Sequence, residues 1–163
     1  MAAWVLESAH KYARASAVLL DANLMAQSEV NAALSMELLI KSLLAVPVDN
    51  ARKGTVYQQY STRHLKLRDG HNLYKLYQLV DPDVAKRVGL DSQVDVLESK
   101  QDVFKSLRYI YEEGAPAGMT NVLLNSVSWL IPQVLVYFIE RGDTDKWLLY
   151  MKANPERLAV RYA

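Results

Sequence analysis

Apolar residues recur at helical intervals through most of the chain. Over residues 3–26, Leu6, Ala9, Ala13, Ala17, Leu20 and Leu24 stand three or four apart. That spacing predicts a helix with one buried face, and its alanines would let a partner helix approach closely. A second helix is expected from Ser28, whose hydroxyl suits an N-cap, with Glu29 in the first turn, to about Val46. Pro47 stops it, since proline has no N–H to donate. Residues 47–70 show no period and form a connection longer than most in compact domains, so they are either functional or partly structured. After Gly70 a short helix presents Leu73, Leu76, Tyr77 and Val80 on one side, and Asp81-Pro82 ends it or starts the next turn. A further short helix over 83–88 ends at Gly89. Residues 91–113 read as one long helix with Val94, Leu97, Phe104, Leu107 and Tyr111 on its apolar face, halted by Gly114 and Pro116. Residues 120–140 form the last core helix. Pro132 inside it should bend it or leave a carbonyl unpaired.

No stretch alternates convincingly enough to predict a strand, and no internal repeat is visible. The expected fold is all-α: an up-and-down bundle of four main helices with short extra helices, in a single domain over 1–142. The tail over 143–163 carries Trp147, Leu148, Leu149, Tyr150 and Met151. It is expected to pack on the bundle or on a partner subunit.

Composition narrows the function classes. A chain of 163 residues, 51% of them apolar, can bury a core and is not disordered or fibrous. With 19 basic and 18 acidic residues, bulk electrostatics does not draw it to nucleic acid, though a local patch is compatible with that balance. The absence of cysteine excludes disulfides, thiolate zinc sites and cysteine nucleophiles. The N-terminal stretch lacks a signal-peptide pattern, and a cytoplasmic location is expected. Residues 122–139 are uncharged, but Asn125, Ser126, Ser128, Pro132 and Gln133 interrupt them. A spanning helix wants a longer and cleaner run, so a buried core helix is expected and no membrane span.

Candidate chemistry is sparse. Glu7 and His10 form a Glu-x-x-His pair of the kind di-metal bundles use twice, but His64 and His71, the other two histidines, do not follow a glutamate by three. No metal or cofactor is therefore expected, and His10 is expected at the surface or its boundary. Phosphate-loop, dinucleotide and nucleophile-elbow signatures are absent. The long connection carries Arg52, Lys53, Arg63, His64, Lys66 and Arg68 beside Tyr57 and Tyr60. Basic residues among aromatics can grip a phosphate backbone and stack a base; the plainer reading is a solvated excursion with two packing tyrosines.

The other candidate is a polar set at the edges of apolar runs: Glu37, Lys41, His71, Arg108 and Tyr109. Glu37 and Lys41 share a helical stripe with Val30, Ala33, Leu34 and Leu44. A charge pair at that spacing usually faces water, yet a helix apolar on neighbouring stripes has little solvated face. Glu37 is expected to face inward near Arg108 or His71, with Lys41 toward the rim of the same groove. Such a set either fixes helix register or lines a functional groove.

Three stretches in order, "NAALSMELLIKSLL", "GHNLYKL" and "FKSLRYIYEE", resemble the HEPN superfamily: its second-helix Glu-Leu with a lysine four after the Glu, its Gly-His-Asp/Asn-Leu third-helix start, and its late Arg-Tyr segment. The resemblance implies a helical bundle, commonly a homodimer, from a family with many ribonucleases of toxin, defence and RNA-processing systems and with other members that are inactive or accompany a small nucleotidyltransferase. The nuclease members place a histidine four to six residues after an arginine. Arg108 would need it at 113, 114 or 115, where Glu113, Gly114 and Ala115 stand. The expectation is a non-catalytic interaction or nucleotide/RNA-binding module of a prokaryotic defence, toxin–antitoxin or RNA-related system, with His71 a structural or groove residue. The alternative is a ribonuclease or nucleotide-processing enzyme with a non-standard Arg/Tyr/His/Glu site.

Overall fold

Helix α1 (Ala3–Asp21) turns through three residues into α2 (Met25–Leu44). Asn23 takes the left-handed conformation in that turn, with φ 58°, which asparagine tolerates better than most residues. Ala9, Ala13 and Ala17 of α1 and Ala32 and Ala33 of α2 are all buried. Hydroxyls tie the two helices together. Ser16 Oγ donates to the Ser28 carbonyl and Ser28 Oγ to that of Ser16, each at 2.8 Å, and Ser35 Oγ donates to the Ala9 carbonyl at 2.7 Å. Partner numbers rise on one helix as they fall on the other, so the pair is antiparallel. Ser28 is therefore not the N-cap. The helix starts a turn earlier, and the hydroxyl that suits a cap serves the helix–helix seam instead. Glu29, displaced into the second turn, is buried.

The computed structural model describes residues 2–48, 59–107 and 118–162, and over them the protein is mostly helical. The expectation of no strand fails in one place. Strands β1 (Val46–Val48) and β2 (Gln59–Ser61) pair antiparallel, with Val46 opposite Ser61, Pro47 opposite Tyr60 and Val48 opposite Gln59. Three-residue strands show no alternation to read, and both strands of a two-stranded ribbon are edges, where Pro47 is tolerated. A 3-10 turn over Arg63–Leu65 follows.

The middle of the chain is a series of short helices. In α3 (Leu73–Tyr77) the Asn72 side chain caps the start by accepting from the Lys75 N–H at 2.8 Å. In α4 (Pro82–Val88) Asp81 does the same for Asp83 and Val84. The helix expected over 91–113 is divided in its described part: a 3-10 turn over Leu90–Gln93, α5 (Val94–Ser99), and α6 (Val103–Ser106). The break at 100–102 is made by a tertiary contact. Leu73 N–H donates to the Gln101 carbonyl, and the Asn72 amide donates to Gln101 Oε1 and Asp102 Oδ1.

Helix α7 (Val122–Glu140) runs unbroken through Pro132 and packs on both α1 and α2. Leu123, Leu124, Val127, Leu130, Ile131, Val134, Leu135 and Phe138 are buried there. Its length and composition would allow a membrane crossing, but this inner face is part of the protein core. Helix α8 (Lys146–Ala153), capped by Asp145, returns against α7 and α1. Leu148, Met151 and Leu158 join the main core, while Leu149 and Tyr150 are exposed.

Candidate functional site

Glu37 sits late in α2, and its neighbours Met36, Leu39 and Ile40 are fully buried. Its side chain follows them inward, and the residue is 4% exposed. A buried charge needs partners, and Glu37 has one for each oxygen. Lys41, one turn on, reaches Oε1 at 2.6 Å, and His71 Nδ1 lies 2.9 Å from Oε2. Lys41 keeps a fifth of its side chain in water, whereas the His71 side chain is 59% exposed. The His71 ring stacks on Phe104, centroids 5.4 Å apart and planes 16° from parallel.

The chain around His71 explains its pose. Its backbone N–H donates to Asp69 Oδ1 at 3.3 Å, and the next residue, Asn72, is locked as the α3 cap and as the tie to residues 101–102. The ring is thus held at one nitrogen, one face and its backbone. Among the described residues Nε2 has no hydrogen-bond partner. Such a ring can exchange a proton or meet an anion at Nε2 while the carboxylate fixes its orientation.

The structure brings together Glu37, Lys41 and His71 of the sequence-derived set. Arg108 and Tyr109 lie outside the described residues. Of the basic connection, Arg52 and Lys53 also lie outside them, while Arg63, His64, Lys66 and Arg68 are exposed along the segment leaving β2. No three His, Asp or Glu side chains among the described residues gather to hold a metal ion. Glu7, half of the Glu-x-x-His pair, instead reaches Lys11 at 2.7 Å.

His10, expected near the surface, is 2% exposed. The returning tail covers it: its ring lies against Trp147 of α8, centroids 5.9 Å apart. Its Nε2 has no hydrogen-bond partner among the described residues. Burial, with Arg14 adding to it, holds its pKa below the ordinary histidine value, against the weaker pulls of the Leu158 backbone and Glu7.

Two further polar positions have partners that the sequence does not reveal. Asn72 is buried and joins two segments. Glu29 places Oε1 2.6 Å from Lys100 Nζ and accepts from the Thr120 N–H at 3.2 Å through Oε2. A glutamate among alanines near a helix start reads as a solvated first-turn acid; only the tertiary fold reveals its partners.

These observations define a helical protein whose buried carboxylate holds a lysine and orients a solvent-facing histidine. Comparison with protein-family models, curated proteins and solved structures finds no match for the chain.

Proposed function

We propose that the chain is a non-catalytic HEPN-like module that binds a nucleotide or RNA, or a protein partner, in a prokaryotic defence, toxin–antitoxin or RNA-related system. In this reading it is a cytoplasmic homodimer with an up-and-down arrangement of four main helices, and its partner is a protein such as a small nucleotidyltransferase. The observation that supports it is convergence. The three stretches that resemble the family are far apart in sequence, yet Glu37 from the first, His71 from the second and Phe104 from the third meet at one point. The missing Arg-to-His spacing favours binding over cleavage.

The test is a native mass spectrum of the protein purified from cells, with small molecules extracted in parallel. A dimer carrying a nucleotide or an RNA fragment is expected, with RNA affinity falling steeply as salt rises. A monomer with no passenger and no RNA affinity at low salt overturns the reading.

A second reading, an enzyme acting on RNA or a nucleotide, is favoured by the pose of His71. A histidine held at Nδ1 by a carboxylate, with Nε2 toward solvent, has the arrangement of a general base. Glu37 would orient it, and Arg108 and Tyr109 would serve the developing charge. Cleavage of an RNA panel, lost in both His71→Ala and Arg108→Ala with the fold intact, would establish this reading. Wild-type protein that leaves the panel uncut refutes it.

A further inference from the structure

Beside the Glu37 network, α1, α2 and β2 enclose an open cleft of about 330 Å³. Its walls are Trp4, Tyr12, Leu38, Lys41, Tyr60 and Thr62 with their smaller neighbours. Trp4 and Tyr12 stand eight residues apart on one face of α1. They are 37% and 39% exposed, so two large rings at the cleft are left partly uncovered. Tyr60 approaches Trp4 with ring centroids 6.3 Å apart, planes tilted by 55°. Lys41 belongs to both places: its side chain lines the cleft and its ammonium holds Glu37.

Burial, and after it the charges of Asp143 and Asp145, raise the pKa of the Tyr60 hydroxyl, so an anionic group is disfavoured beside Tyr60. The chain leaving the cleft at Thr62 carries Arg63, His64, Lys66 and Arg68, all exposed and with no acidic residue among them. Arg63 and His64 also line a second cleft that shares Tyr60 and Ser61 with the first. A planar, neutral ring suits the cleft, and a negative chain suits the segment beside it.

We infer that the cleft is a base-stacking subsite for single-stranded RNA, with Trp4 and Tyr12 as stacking rings and the backbone phosphates led along residues 63–68. This rests on the RNA-binding reading above and adds residues of α1 that neither the family resemblance nor the basic connection includes. Aromatic stacking beside a cationic track is how proteins hold unpaired strands with little sequence preference.

The test measures binding of ten-nucleotide oligouridylate and oligoadenylate to the full chain across a salt series. Trp4→Ala and Tyr12→Ala should each weaken binding about 5- to 100-fold and leave the salt slope unchanged, because they remove stacking and no charge. Tyr12→Phe should restore affinity. Arg63→Ala and Arg68→Ala should instead flatten the salt slope. Photo-crosslinking of 5-bromouridine RNA should map to residues 3–12 or 59–62. RNA bound equally by wild type, Trp4→Ala and Tyr12→Ala, or crosslinked at 63–68 alone, overturns the base subsite and leaves the RNA-binding reading standing. Absence of RNA binding at every salt concentration overturns both. Circular dichroism melts of each variant exclude loss of fold, and should Trp4→Ala unfold, the Tyr12 pair and the crosslink decide.

Discussion

Taking up a proton costs His10 more in the folded protein than in the unfolded chain, because the ring is enclosed by α1, α8 and the segment at Leu158 and has the Arg14 charge nearby. The unfolded chain therefore binds this proton first as pH falls, starting at about pH 6.5. Linkage fixes the sign: the stability associated with neutral His10 is present above that pH and declines as pH drops toward the lower folded-state value. A melting temperature that falls between pH 7 and pH 5 in wild type, and falls less in His10→Gln, is the expected result. Equal slopes in the two proteins would mean that His10 titrates as it does in the unfolded chain. Gly89 is a second decisive single residue. It closes α4 at φ 76°, and a Cβ placed there would overlap the tip of the Trp129 ring. Gly89→Ala should destabilise by about 2 kcal/mol or more, combining left-handed strain with the displaced indole. Urea denaturation should show that Trp129→Ala relieves part of this, so the double variant loses less than the two singles together.

Among the helices, cause lies in the packing as often as in the local sequence. The stretches of α1, α2 and α7 are legible because their apolar stripes persist for five turns. The break between α5 and α6 is not, because residues 91–107 keep a good helical pattern and the interruption comes from Asn72, about thirty residues away. Asn72→Ala removes an N-cap, worth about 1 kcal/mol, and also the amide that holds Gln101 and Asp102. A total loss of about 2 kcal/mol is expected, with amide exchange accelerating at residues 73–75 and 100–103 together. Faster exchange at residues 73–75 alone would show that the tie across the two segments contributes little. The β-ribbon and the burial of His10 escape a sequence reading for similar reasons. One is too short to show a period, and the other depends on a tail returning over α1.

At the level of the whole molecule, Glu37 is where distant parts of the chain meet. It was legible as an oddity, a charge on an apolar helix, and His71 was a possible partner on charge and motif alone. Phe104 was legible only as a core residue, and its stacking on His71 depends on the break before α6. Glu37→Ala strips a partly buried lysine of its counter-charge and the histidine of its anchor, and should cost about 3 kcal/mol, near the low end for a broken buried pair because His71 stays solvated. Thermal unfolding of Glu37→Ala beside Glu37→Gln measures this. A melting temperature that barely moves in Glu37→Ala would mean that water replaces the carboxylate at little expense.

The serine-laced seam between α1 and α2 bears on the order in which the protein acquires its shape. Its partners are joined by a three-residue turn, so bringing them together closes small loops, and contacts of short sequence separation form early and fast. The helical hairpin is therefore the natural folding nucleus, onto which α7 and then α8 are added. In stopped-flow experiments Ser35→Ala should slow refolding, whereas Leu148→Ala, in the last helix to dock, should mainly speed unfolding. A chain emerging from its N-terminus would then have its nucleus complete once residue 44 is free, before the segment bearing His71 has emerged.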